Sequence, residues 1–160
     1  MISITSTEHA VAFPSKLKSS LCGHIYNMVL QQDLDNGTLR GLGDYVSFDQ
    51  FKDAAAPSEF RGAVIDRAAN GNYYVRVTVV NAAAPTVLIY DDPIIKETSD
   101  KQFHMAKYFY NKSGSTVRGF ELAVGDIFEV SEAAFEDIDD IDVAAHTVVK
   151  AKSDGKIMKA

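Results

Sequence analysis

The stretch QQDLDNGTLRGLGDYVSF, residues 31–48, holds the one group of oxygen ligands whose spacing invites a metal. Asp33, Asp35 and Asn36 lead into Gly37 as at the start of a calcium loop, where carboxylates at alternate positions converge on a hard cation. Counting decides against it. An EF-hand loop needs ligands at positions 1, 3 and 5, glycine at 6 and a bidentate glutamate at 12. A count from Asp33 puts Gly37 at 5 and Asp44 at 12. Asn-Gly between apolar runs is also a strong hairpin signal, so the segment reads as strand, turn, strand.

No other set of residues announces a reaction. His9, His24, His104 and His146 are scattered, none within four residues of another, and read as surface or satisfied core residues. A nucleophile elbow, G-x-S-x-G, does not occur. NKSGSTVRG lacks the lysine placement of a phosphate loop, and the extended runs on either side make it a turn. Paired carboxylates for glycoside hydrolysis need not be neighbours in sequence, but nothing singles out a pair, and the absence of Trp disfavours a sugar-stacking cleft. The sequence therefore names no catalytic residue, no cofactor site and no metal site, and the chain is expected not to be an enzyme.

Charge points the same way. A formal net charge of -6 argues against a nucleic-acid partner, which needs clustered Lys and Arg to displace counterions. The run SEAAFEDIDDIDVAAH carries Glu132, Glu136, Asp137, Asp139, Asp140 and Asp142. It reads as a solvated face or linker, with a weak cation site or a contact for a basic surface as the functional alternative. Lys150, Lys152, Lys156 and Lys159 follow it and balance it within the chain or on a neighbouring subunit. Cys22 is the only cysteine, which excludes an internal disulfide and a cysteine zinc site and fits a small buried hydrophobe. The opening residues have neither a basic start nor a continuous apolar core, so no secretory signal is expected. No apolar run approaches the roughly 20 residues that span a bilayer, so no membrane partner is expected either.

The elements that would carry any site are short strands. HIYNMVLQ is the first, and TLRGL with DYVSF follows the Asn36-Gly37 turn, Gly41 and Gly43 suggesting a bulge. Phe60 to Arg67 and Tyr73 to Val80 form the clearest hairpin, around Asn70-Gly71; Tyr73, Val75, Val77 and Val79 alternate with a mixed face. TVLIYDD is apolar enough for burial on both faces. Two extended runs then flank a turn at residues 112–115, and Gly125-Asp126 leads into a last strong strand, 127–131. FDQFKDAAA and SEAAFEDI are the helical candidates, the second with Ser131 as N-cap. AHTVVKAKSDGKIMK reads as a terminal hairpin around Asp154-Gly155. TLRGLGDYVSFDQF and TVRGFELAVGDIFEVSEAAF echo one another, which we read as shared turn chemistry.

Strands with turns at this spacing, in 160 residues, predict one all-β, mainly antiparallel domain. It is a β-barrel or β-sandwich with one or two short helices and extended termini. The division is an N-terminal arm (1–20), a β-rich core (21–136), and an acidic segment with a Lys-rich C-terminal tail (137–160). Two loops stand out: Ala54, Ala55, Ala56 and Pro57, then Ala82, Ala83, Ala84 and Pro85. Exposed loops normally spend such positions on polar residues, so these are either tucked into the core or laid flat against a partner.

Taken together, IYNMVLQQDLDNGTLRGLGDYV, the central hairpin, the Tyr-Asp-Asp-Pro loop and RGFELAVGDIFEVSEAAF resemble the capsid auxiliary proteins of tailed bacteriophages, also called decoration or cement proteins. The similarity runs from about Ile25 to Phe135 and rests on turns and strand patterns. The resemblance implies a structural virion protein, made in the host cytoplasm, whose all-β body sits on the outer capsid surface. Its implied partners are the major capsid protein, whose neighbouring subunits it bridges, and itself, in a homo-oligomer such as a trimer. No catalytic residue transfers. The two termini would order on capsid contact. Three alternatives stay open: a small-ligand-binding β-barrel module, a hydrolase with only generic carboxylates in its favour, and another virion role such as head-tail connector or fibre base.

Overall fold

The computed structural model describes residues 9–46, 51–91 and 110–160. Part of the expected N-terminal arm, the start of FDQFKDAAA, the run at 102–109 and the side chain of Cys22 lie outside the described residues.

The hairpin read from the sequence is present. β5 (Phe60–Arg67) and β6 (Tyr73–Val80) pair antiparallel. The chain reverses where Gly71 donates its N–H to the Ala68 carbonyl at 2.9 Å. Tyr73, Val75 and Val77 are buried as the alternation requires. The register then slips, Arg61 facing Val79 and Gly62 facing Val77, which leaves Thr78 as the extra residue of a bulge. A one-residue slip turns later side chains over. Val80 packs toward the core, and Val79, expected inside, is 37% exposed.

Two antiparallel layers result. One is a six-stranded sheet in the order β1 (Ala12–Phe13), β9 (Ile127–Val130), β6, β5, β10 (Val148–Ala151), β11 (Ile157–Lys159). The other is a closed barrel of β2 (Ile25–Val29), β4 (Phe51–Ala55), β3 (Leu39–Val46), β7 (Thr86–Tyr90) and β8 (Thr116–Glu121), parallel only at β2–β4. The all-β class is thus found, and the barrel is one half of it. Met28, Leu30, Leu34, Ala54, Val87, Ile89 and Val117 fill the barrel interior. Leu39, Leu88, Phe120 and Leu122 point out of the barrel wall onto Val64, Val75, Phe128, Val149 and Ile157 of the sheet.

Several expectations are corrected. The Asn36-Gly37 turn does not make a hairpin, because β4 lies between β2 and β3 in the barrel. Residues 51–55 are strand β4 rather than helix; pairing on both sides, with β2 and β3, overrides the alanine-rich helix propensity. Ser131 does not cap the three-residue 3₁₀ turn Glu132–Ala134. Its hydroxyl accepts the Val11 N–H at 2.9 Å and ties β1 to β9. The two Thr-x-Arg-Gly copies flank β7 on opposite sides, but Gly43 lies inside β3 at a register shift whereas Gly125 forms a turn. The described helix is one five-residue turn, α1 (Lys18–Cys22), its first N–H held by Asp126 Oδ1 at 3.1 Å.

The described ends of the chain are part of the layers. Ala10, Ala12 and Leu17 are buried, and segment 137–160, set apart from the core in the sequence, supplies β10 and β11. Val149 and Ile157 have no exposure. At about 1.5–3 kcal/mol per fully buried side chain, the two are a large fraction of a typical domain's stability. Gly155, φ 94°, seats the terminal turn on β3 by accepting the Leu39 N–H at 2.9 Å. A Cβ there would overlap the Thr38 methyl and the Leu39 carbonyl, whereas Gly114, φ 80°, has open space around it. Gly114→Ala should cost about 1 kcal/mol, from the left-handed backbone alone, and Gly155→Ala about 3 kcal/mol or more. Urea unfolding checks this, and equal costs would mean that the terminal turn is not seated on β3.

Candidate functional site

Segment 31–38 joins β2 to β3 of the barrel, and its Asp and Asn side chains are consumed in doing so. Asp33 Oδ1 accepts the Ser113 N–H at 2.8 Å. Asp35 accepts from the Ala10 N–H at 3.0 Å through one oxygen and lies 2.7 Å from His9 Nδ1 through the other. Asn36 is buried and uses its whole amide: Nδ2 donates to the Asp91 carbonyl at 2.9 Å, and Oδ1 accepts from the Asp91 N–H at 3.1 Å and from Asn111 Nδ2 at 2.9 Å. The residues of the would-be calcium loop thus act as cross-links. No three His, Cys, Asp or Glu side chains converge as metal ligands among the described residues.

Beside these cross-links lies a cleft of about 490 Å³ lined by His9, Asp33, Asp35, Tyr110, Asp154 and Lys156, with Ala133 and Ala134 on its wall. The His9 and Tyr110 rings face each other at 5.0 Å between centroids, tilted by 33°. Of the other expected histidines, His24 lies 3.3 Å from Glu121 at the surface, His146 is exposed, and His104 is outside the described residues. Glu121 also accepts from the Tyr26 hydroxyl, and burial, then that hydrogen bond, raises the Tyr26 pKa.

The two alanine loops, 28 residues apart in sequence, lie side by side. Ser58 joins them: its hydroxyl donates to the Ala84 carbonyl and lies 3.2 Å from the Thr86 hydroxyl. Ala54 is buried in the barrel, Ala55 and Pro57 are half-buried, and Ala56 is exposed. Ala82, Ala83 and Ala84 are exposed and Pro85 is half-buried. The Asn81 side chain fixes the second loop by accepting the Ala83 N–H at 3.0 Å. One loop is therefore anchored by its first alanine, and together they present a lip of methyl groups. Ser58 and Asn81 carry the arrangement, and polar residues flanking Ala-Pro segments are the signal that would have found them.

No family model, curated protein or solved structure matches this chain. The phage resemblance therefore stands on the quoted motifs alone. Part of that motif set has a clear structural job: Asp126 of Gly125-Asp126 is buried, holding the α1 N–H through one oxygen and the Ala123 N–H at 2.9 Å through the other. Sequence reasoning missed Arg40. It is buried behind the alanine lip, with Nη2 3.5 Å from the Ala54 carbonyl and Nε without a hydrogen bond. Burial pushes its pKa below the usual arginine value, and Asp154 and Asp53 partly offset this.

If segment 31–38 cross-links rather than chelates, the residues differ sharply in importance. Asn36→Ala removes three hydrogen bonds from a buried site and should cost about 2–3 kcal/mol, against about 0.5–1 kcal/mol for Asp33→Ala at the surface. Thermal melts with and without millimolar calcium read both points. A calcium-dependent rise in Tm that Asp33→Ala abolishes would restore the metal reading.

Proposed function

We propose that this protein is a structural virion component that binds the outer capsid surface and stabilises contacts between major capsid subunits, as a homo-oligomer. The observation that carries the reading is the pairing of the two alanine loops into one exposed lip. Small apolar side chains on a surface loop gain nothing from water, and a flat methyl surface suits close packing against another protein. The sequence resemblance supplies the partner class. Many copies arranged by symmetry would add weak contacts into avidity.

Charged substitutions in the lip test this directly. Ala56→Glu and Ala83→Glu lie at exposed positions, so folding should survive while binding to empty capsids of the encoding virus falls at least tenfold in a cosedimentation assay. Wild-type protein that ignores such capsids at every salt concentration would end the proposal.

One observation favours a second reading, a small-ligand-binding module. The barrel interior is filled by its own side chains, which moves that reading to the cleft at Tyr110, whose 490 Å³ is within the usual range for small-ligand sites. Its mixed lining of carboxylates, Lys156 and the tilted His9–Tyr110 ring pair suits a small polar aromatic or zwitterionic compound. A thermal-shift screen of such compounds should give a hit that Tyr110→Ala abolishes; a screen without one sinks the reading.

A further inference from the structure

The outer face of the six-stranded sheet has no layer over it among the described residues. Strand alternation assigns its residues. Val64, Val75 and Val149 turn toward the barrel, and their neighbours Arg61, Arg76, Val148 and Lys150 turn out. Register places Arg61 directly opposite Lys150, while Ala63 stands opposite both Arg76 and Val148. Three cations thus surround Val148, itself 49% exposed, and none has an ion-pair partner among the described residues. The carboxylates of this face, Asp66 and Glu129, sit toward the 68–72 turn. There Asp66 accepts the Arg67 N–H, and Glu129 accepts from the amides of Asn70 and Asn72. Like charges held directly opposite across strands repel, and an anion laid on the face relieves that repulsion. The patch also runs against the charge of the whole chain, which is -6.

A complementary surface exists on the same chain. Glu132, Glu136, Asp137, Asp139, Asp140 and Asp142 are all exposed, and among the described residues only Glu136 of these forms an ion pair, with Lys152 at 2.6 Å. That hydrogen bond raises the Lys152 pKa. Within one molecule the run comes up to the patch only at Asp142, whose backbone bonds Thr147 beside Val148 while its carboxylate accepts the Ala144 and Ala145 N–H groups. Ile138, Ile141 and Val143 pack it onto the cluster on the inner side of the sheet, and the patch is on the outer side.

We propose that the outer sheet face of one copy, at Arg61, Arg76 and Lys150, receives the acidic segment 136–142 of a second copy. The two surfaces are different, so the contact is head-to-tail, and a bound pair still offers one of each. Such a contact closes into a ring when the rotation between copies permits it. Val148 adds an apolar centre to the charged contact. The inference names the surfaces of self-association and stands without the capsid reading.

Sedimentation velocity of the full chain, from micromolar to hundreds of micromolar, tests it. Expected is a concentration-dependent oligomer that dissociates as salt rises, because exposed charge pairs are screened. Arg61→Glu with Arg76→Glu and Lys150→Glu should weaken association at least tenfold, as should Asp139→Lys with Asp140→Lys. An equimolar mixture of the two variants should associate again, since each supplies the surface the other has lost. All five positions are exposed; circular dichroism confirms folding, and Gln replacements at the basic positions serve if the Glu variant is unfolded. A wild-type monomer throughout, an oligomer that both variants leave intact, a mixture that stays monomeric, or a monomer whose basic face retains single-stranded oligonucleotide would each overturn the proposal. Cosedimentation with capsids, read separately through Ala83→Glu, keeps failure here distinct from failure of the capsid reading.

Discussion

Thr86, Val87, Leu88 and Ile89 have no exposure, and that constraint on β7 organises both layers. Val87 and Ile89 point into the barrel, and Leu88 points the other way, into the core shared with the sheet. A strand in a barrel wall that is itself covered must be apolar on both faces, since neither side has water to solvate a polar group. β3 and β8 flank β7, so Leu39 and Phe120 join Leu88 in the outer core. The sheet then buries its own inner face on these residues, which is why β10 and β11 at the end of the chain are integral to the fold.

Apolar packing holds each layer together, and polar side chains set how the loops run between them. Asn36, Ser131 and Asp126 each sit in a loop or at a strand end, are buried, and bond backbone groups far away in sequence. A buried amide or carboxylate left unpaired costs more than its bond returns when made, so such residues specify one arrangement of the connections. Asp35 does the same for the N-terminal segment at His9 and Ala10. The cleft at Tyr110 is the space that remains where these cross-links converge.

The two proposed contact surfaces differ in kind. The alanine lip is small, apolar and fixed by Ser58 and Asn81. The outer sheet face is basic around Val148, and the apolar residues of the acidic run pack against the inner side. The alanine loops were legible in the sequence because Ala-Ala-Ala-Pro is an unusual use of loop positions. Their adjacency follows from the register of the β5–β6 hairpin, which pairs Phe60 with Val80 and so brings the residues before the one beside those after the other. The basic patch was not legible, since Arg61, Arg76 and Lys150 are far apart in the chain and share a face only through register.

By itself, the sequence determined the all-β class, the β5–β6 hairpin and its turn, and the two-faced burial of β7. Each follows from local spacing: alternation, apolar run length or Asn-Gly chemistry. Tertiary structure alone decided that residues 51–55 form a strand despite their helix-like composition, that Asn36-Gly37 leads a crossover, and that Val80 rather than Val79 turns inward. It also decided that the last residues complete a sheet. The reason is common to all four: strand pairing joins residues distant in the chain, and its hydrogen bonds and buried area outweigh preferences that a short window can express.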